Sequence, residues 1–246
     1  VSRAVFDSSP TSPWASCEAP TSDDVGFNTK DMKMNANNTK KIKVCLLSDT
    51  YPPDVGGVAR SAHRLAYGLV RAGHHVHICI RDRSLPPGRV TCTAGSEDTP
   101  TVHRIGPHKH ARDTLTAWSE LALQVGRQQG IDLYHGFFLA YAGFLAAYSA
   151  RLTGVPSVVS ARGNDLDRLL FDAARAPFVM EALRMADAVT TVSRALAAKA
   201  RALIPQVQVY PVPNGLVEAM ACARPVVTPL VGGLIQPVPD AVNGFL

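Results

Sequence analysis

From residue 41 onward the chain alternates short apolar runs with longer stretches of helical period. Residues 42–47, Ile-Lys-Val-Cys-Leu-Leu, form a brief apolar run of the kind that makes a parallel strand buried on both faces. A Pro/Gly loop over 51–57 follows. An amphipathic helix comes next, with Ala62, Leu65, Ala66, Leu69 and Val70 on one face and a stop at Gly73. The same reading predicts strands at 75–80, 101–105, 131–134, 155–160, 188–192 and 206–212. Helices are predicted at 114–129, 140–152, 172–186 and 194–203, with Ser193 placed to cap the last. The apolar run 137–148 is too short to cross a bilayer, which takes about 20 residues, and reads as a buried helix. Alternation sustained this long implies an α/β fold, a doubly wound parallel (Rossmann-like) sheet with helices on both faces. Ligands of such sheets bind outside the carboxyl ends of the strands. That rule points to the loops after Leu47, Tyr134, Ser160 and Val192.

Residues 1–39 have no apolar period and are rich in Ser, Thr, Pro, Asn and Asp, so a disordered segment is expected there, without the pattern of a secretory signal. The chain starts at Val1, whereas Met32 and Met34 stand just before the first strand, and the biological start is expected at one of them. Composition changes this picture little: 46% hydrophobic and 18% charged residues allow an ample core. The five cysteines form no C-x-x-C pair and read as free thiols of a reducing compartment, hence a cytoplasmic protein. The net charge of +5 hides an acidic excess in residues 1–39, which leaves +7 on the remainder. A basic globular part suits phosphate-bearing ligands or anionic headgroups, including peripheral contact with the inner face of the membrane. No interleaving of aromatic and basic residues marks a nucleic-acid surface.

Three loops could carry chemistry. Ser48 to Gly57 lacks the G-x-G-x-x-G fingerprint, yet it delivers Gly56 and Gly57 to a helix N-terminus, where N–H groups and the dipole favour a phosphate. A plain turn is the competing reading. His135, read as following a strand, could donate a hydrogen bond, carry a proton or be structural. Arg162, Asn164 and Asp165 set a cation, an amide and a carboxylate on one loop, which suits a polyhydroxylated ligand or, equally, an Arg–Asp pair that fixes the loop. His103, His108 and His110 show no metal-ligand spacing and read as solvated; no metal is expected.

Taken in order, these segments resemble the retaining glycosyltransferases of family 4, which have the GT-B architecture. The resemblance rests on Ser48-Asp49-Thr50-Tyr51-Pro52-Pro53 with Gly56-Gly57-Val58, and on Asp132-Leu133-Tyr134-His135 as a D-x-x-H strand. Further matches are Val189-Thr190-Thr191-Val192-Ser193 and Val212-Pro213-Asn214-Gly215. The tail adds Glu218-Ala219-Met220-Ala221-Cys222-Ala223-Arg224-Pro225, then Val231-Gly232-Gly233 and Asn243-Gly244. It implies an N-terminal acceptor-side domain over 40–214 and a short remnant of the donor-side domain over 215–246. It also implies sugar transfer from a nucleotide-diphosphate-sugar co-substrate, with retention, to an acceptor that is a glycan, lipid or small molecule. Gly56 and Gly57 would lie against the donor diphosphate, Glu218 would bind the ribose hydroxyls, and His135 and the 162–165 loop would face the cleft. Neither a cofactor nor an obligatory metal is implied.

The chain also departs from that pattern. Asn214-Gly215 runs almost directly into Glu218, without the long stretch and its diphosphate-clamping Arg/Lys pair that members carry between them. The first glutamate of the E-x7-E motif is replaced by Tyr210, and Phe137 stands where many members have a second histidine. The sequence ends at Leu246, short of the closing helix. Residues 215–246 are too few for a core of their own, since segments below about 40 residues usually need other support. An inactive family member is therefore expected, the alternative being a non-catalytic Rossmann-like binding module. A nicotinamide-dependent oxidoreductase is favoured only by Asp82 after the second strand.

Overall fold

The computed structural model describes residues 40–213 and the backbone of two short paired strands, Val226–Val227 and Gly244–Phe245. The segment read as disordered, most of 215–246, and Glu218 lie outside the described residues. The apolar run at 42–47 becomes β1 (Lys43–Ser48), buried at every position after Lys43. It is followed by β2 (His75–Arg81), β3 (Val90–Thr93), β4 (Thr101–Ile105), β5 (Leu133–Phe137), β6 (Ser157–Ala161), β7 (Ala188–Thr191) and β8 (Gln208–Pro211). These form an eight-stranded sheet of order β3-β4-β2-β1-β5-β6-β7-β8, parallel throughout except for the β3–β4 pair. The fold is the Rossmann-like α/β class expected.

Both faces of β1 are covered, which explains its unbroken apolar run. Leu46, with Ile78 and Ile80 of β2, packs under Ala62, Ala66 and Val70 of α1 (Gly57–Arg71). Cys45, Leu47 and Cys79 pack under Trp118, Leu121 and Val125 of α2 (Ala111–Gln129) and Leu145 of α3 (Phe144–Thr153). The Cys45 and Cys79 sulfurs lie 3.8 Å apart in that layer as free thiols, and Cys92 is a free thiol on the exposed edge. Five further helical elements complete the described domain: a π-helical turn (Leu139–Gly143), α4 (Asn164–Asp167), a 3-10 turn (Leu169–Phe171), α5 (Ala176–Met185) and α6 (Arg194–Leu203). Ser193 caps α6 by accepting the Leu196 N–H at 3.2 Å.

Several boundaries differ from the expectation, each for a local reason. The apolar run 137–148 is not one helix: Phe137 ends β5, a π-helical turn intervenes, and α3 begins only at Phe144. The helix expected from 172 starts at Ala176, because the Asp172 carboxylate takes the Ala174 N–H in a turn and Pro177 suits a first helical turn. β3 escaped prediction because it is an edge strand whose side chains stay exposed or half-buried, so it leaves no apolar signature. His103 is no solvated loop residue. It sits half-buried in β4, its Nε2 lying 3.2 Å from His77 Nδ1, and both pKa values are lowered by burial, that of His77 to about 4.

Candidate functional site

The sheet reverses its winding at β1. The chain passes from β1 through α1 to β2 on one side and returns through α2 to β5 on the other. The crevice beyond the carboxyl ends of β1, β5 and β6 is therefore the topological switch point, where open α/β sheets bind ligands. Gly56 and Gly57 border it. Gly57 is the first residue of α1, Gly56 accepts the Arg60 N–H at 3.1 Å, and neither a side-chain cap nor an acidic residue occupies the first turn. A Cβ built on either glycine meets nothing within 4 Å, so the helix N-terminus opens onto free space.

His135 is not in a loop. β5 runs on to Phe137, paired with Ser48, which places His135 inside the strand opposite Leu46. The strand was read as ending at Tyr134 because a histidine followed by a glycine breaks the apolar run. Gly136 is needed there by close packing, since a Cβ on it would stand 2.5 Å from Gly143 Cα. His135 Nε2 lies 2.8 Å from Ser160 Oγ, which lies 2.7 Å from Thr190 Oγ1, so three polar side chains form a row across β5, β6 and β7. Burial, reinforced by the Arg162 charge, lowers the His135 pKa to about 4. At neutral pH the ring is uncharged, with one nitrogen a hydrogen-bond donor and the other an acceptor.

The 162–165 loop divides its labour. Asp165 is fully buried, and its carboxylate accepts backbone N–H bonds from Arg162 at 2.9 Å, Gly163 at 2.9 Å, Leu166 at 3.2 Å and Leu139 at 3.3 Å. Burial raises its pKa while these N–H groups pull it down. Asp165 thus clips the loop after β6 to the turn after β5. The half-buried Arg162 guanidinium lies 4.6 Å over the Phe137 ring, and burial lowers its pKa against the pull of Asp165. Asn164 is exposed at the start of α4. The structure therefore gathers His135, Arg162 and Asn164 near the ends of β5 and β6, with Asp165 beneath them.

Two further groups at the switch point are not singled out by the sequence as site residues, although Asp49 lies in the 48–53 segment that carries the resemblance. The Asp49 carboxylate, at the end of β1, binds Arg81 Nη2 of β2 at 2.7 Å; burial raises its pKa and Arg81 opposes that. Phe138 holds φ at 92°, a left-handed conformation rare for a large side chain, at the entry to the π-helical turn. Such outliers and π turns concentrate at functional sites. Asp82, the feature that suggested a nicotinamide enzyme, is occupied: it accepts from Ser84 at 2.6 Å and pairs with Arg104 at 3.3 Å. Among the described residues no group of three or more His, Cys, Asp or Glu could hold a metal ion, and no helix is long and apolar enough to cross a membrane.

Residues 56–215 match the family described as glycosyl transferase 4-like domain. No match was found among curated proteins. Among solved structures the chain is similar to the UDP-GlcNAc 2-epimerase of Methanocaldococcus jannaschii, at 12% identity and a TM-score of 0.52, over 73% of this chain and 48% of that one. It is similar to Anabaena Alr3699/HepE in complex with UDP and glucose, at 16% identity and a TM-score of 0.50, over 73% and 46%. The UDP-GlcNAc 2-epimerase of Neisseria meningitidis bound to UDP-GlcNAc gives 14%, 0.50, 74% and 49%. At these identities the likeness is one of fold, the GT-B-like arrangement, and the chain spans about half the length of those structures.

Proposed function

The chain belongs to the glycosyl transferase 4-like family, and from that premise we propose that it is the acceptor-side domain of a GT-B enzyme that moves a sugar from a nucleotide-sugar donor to an acceptor with retention of configuration. The observation that carries this reading is the open, uncapped N-terminus of α1 beside the switch-point crevice. There the N–H groups after Gly56 and Gly57 and the helix dipole would meet the donor diphosphate, offsetting the charge that develops on the leaving group without a metal. Neutral His135 would hydrogen-bond a sugar hydroxyl, held in one orientation by Ser160 and Thr190. Arg162 and Asn164 would face the reacting sugar, and Asp165 would position them through the backbone. Glu218 would take the ribose hydroxyls. The acceptor is a glycan, lipid or small molecule, met in the cytoplasm or at the inner face of the membrane.

Nucleotides bound to similar folds support the nucleotide-sugar assignment: UDP in Alr3699/HepE and UDP-GlcNAc in the Neisseria epimerase. One sequence feature favours a second reading for this chain taken alone, a non-catalytic Rossmann-like module. Only Leu216 and Val217 separate Asn214-Gly215 from Glu218, and Tyr210, in the place of the first donor glutamate, lies in β8 with half its surface exposed. Transfer needs both walls of the cleft to position the donor. The 246-residue chain is accordingly expected to release no nucleoside diphosphate from nucleotide sugars. A full-length relative should do so, and replacing its counterpart of Gly57 by leucine should weaken donor binding about 10- to 100-fold, as a side chain enters the phosphate site. A relative that turns over no nucleotide sugar in a screen of bases and sugars would refute the transferase reading. Turnover by the 246-residue chain would refute its inactivity.

A further inference from the structure

Away from the crevice, two histidines meet on the face of the sheet that α2 covers. His77 of β2 and His103 of β4 are 26 residues apart in the chain, and no motif spacing links them. Strand register does. Thr101 pairs with His77 and His103 with Cys79, so the two imidazoles stand one pleat apart on the same face. His77 Nδ1 lies 3.2 Å from His103 Nε2, and the ring planes are inclined at 23°.

That separation fits a shared ion. Two nitrogens each about 2.05 Å from a tetrahedral zinc stand about 3.3 Å apart, whereas adjacent corners of a square-planar site are about 2.9 Å apart. Burial lowers both pKa values, that of His77 to about 4, so at neutral pH neither ring must lose a proton before it can ligate. The same contact serves as a neutral N–H···N hydrogen bond. Exchanging it for a metal requires only that the donor ring move its proton to its other nitrogen, with no net proton released. His77 also borders a cavity of about 630 Å³, which gives an ion a way in. Around that cavity the exposed carboxylates of Glu97 and Asp98 balance Lys41 and Arg71, so a cation meets no net positive field. None of these four side chains has a hydrogen bond or ion pair among the described residues. Lys43, whose charge also bears on His77, gives its ammonium to the Gln129 carbonyl at 2.8 Å.

We propose that His77 and His103 form a two-nitrogen site for zinc or a divalent ion of that class, with water in the remaining positions and the ion tying β2 to β4. Two protein ligands hold an ion less firmly than the four of a closed site, so binding should be exchangeable. Sugar transfer plays no part in this site. The test is titration calorimetry and thermal melting of the 246-residue chain, stripped with EDTA and dialysed, against ZnCl2 and MgCl2. Zinc should bind and raise Tm; magnesium, which prefers oxygen ligands, should do neither. His77→Gln and His103→Gln should each weaken zinc binding by at least about tenfold, since losing a ligand should cost no less than losing a group that orients one. His75→Gln, at an exposed position of the same strand, should bind zinc like the parent. Should a glutamine variant fail to fold, side-chain NMR of the parent chain decides: zinc must shift the ring signals of His77 and His103 together. The proposal fails if zinc does not bind, if magnesium binds as well, or if either glutamine variant binds like the parent. It fails too if His75→Gln loses the ion, or if zinc moves other histidine rings and leaves these two unmoved.

Discussion

Asp165 offers a quantitative test of how the crevice is held. Its carboxylate, with no exposed surface, is the common acceptor of four backbone N–H groups from residues 139, 162, 163 and 166. Replacing it by alanine deletes that acceptor while the donors stay in a confined site; Leu166 N–H also bonds the Gly163 carbonyl at 2.9 Å. Hydrogen bonds to a charged group are worth about 1.5–3 kcal/mol each. Relief of the carboxylate's own desolvation offsets part of their sum, so a net loss of about 3–5 kcal/mol is expected, as for other broken buried charge networks. Asparagine keeps one acceptor oxygen but turns an NH2 group toward N–H donors, and about 2 kcal/mol should be lost. With a urea slope of about 2 kcal/mol/M, the denaturation midpoint should fall by about 2 M for Asp165→Ala and about 1 M for Asp165→Asn, at unchanged slope. A shift below about 0.5 M for the alanine variant would show that water or backbone rearrangement replaces the carboxylate and would refute the clip. The order matters as much as the size: an Asp165→Asn variant as stable as the wild type would also contradict a site built only of donors.

Two further predictions follow from named contacts. His135 has an ordinary pKa of 6.5 when unfolded and about 4 in the fold, so between those values the unfolded chain binds the extra proton and stability rises with pH. Some 3 kcal/mol should therefore be lost as pH falls from about 6.5 to about 4 and no more below it; His135→Gln should remove that slope while leaving the parallel one from His77, and an unchanged pH profile would disprove the buried neutral ring. Gly136→Ala should cost about 3 kcal/mol by thermal melting, because the new methyl must displace Gly143 Cα, 2.5 Å away, and the Ala142 carbonyl, 2.9 Å away; a neutral substitution would mean the turn after β5 yields freely.

What the sequence determined by itself is the part of the fold that depends on local periodicity. Alternation of apolar runs with amphipathic stretches specified a doubly wound sheet, because a strand covered on both faces must be apolar throughout and a covering helix needs only one apolar stripe. Local chemistry likewise placed Ser193 at the start of α6, since an N-cap depends on residues three apart in the chain. The glycines at the start of α1 were legible for the same reason. Tertiary structure decided the rest, where a residue's role hangs on a partner distant in sequence. β5 extends through His135 only because Ser48 and Leu46 are there to pair with it, and β3 exists only because β4 offers an edge. Arg81 meets Asp49, 32 residues away, and His135 meets Ser160, 25 residues away, through strand register that no periodicity encodes. Asp165 could be seen as a charge on a loop, but whether it faced ligand, guanidinium or backbone was settled by where the turn after β5 came to rest against it, for a buried carboxylate must take whichever donors the packing brings within reach.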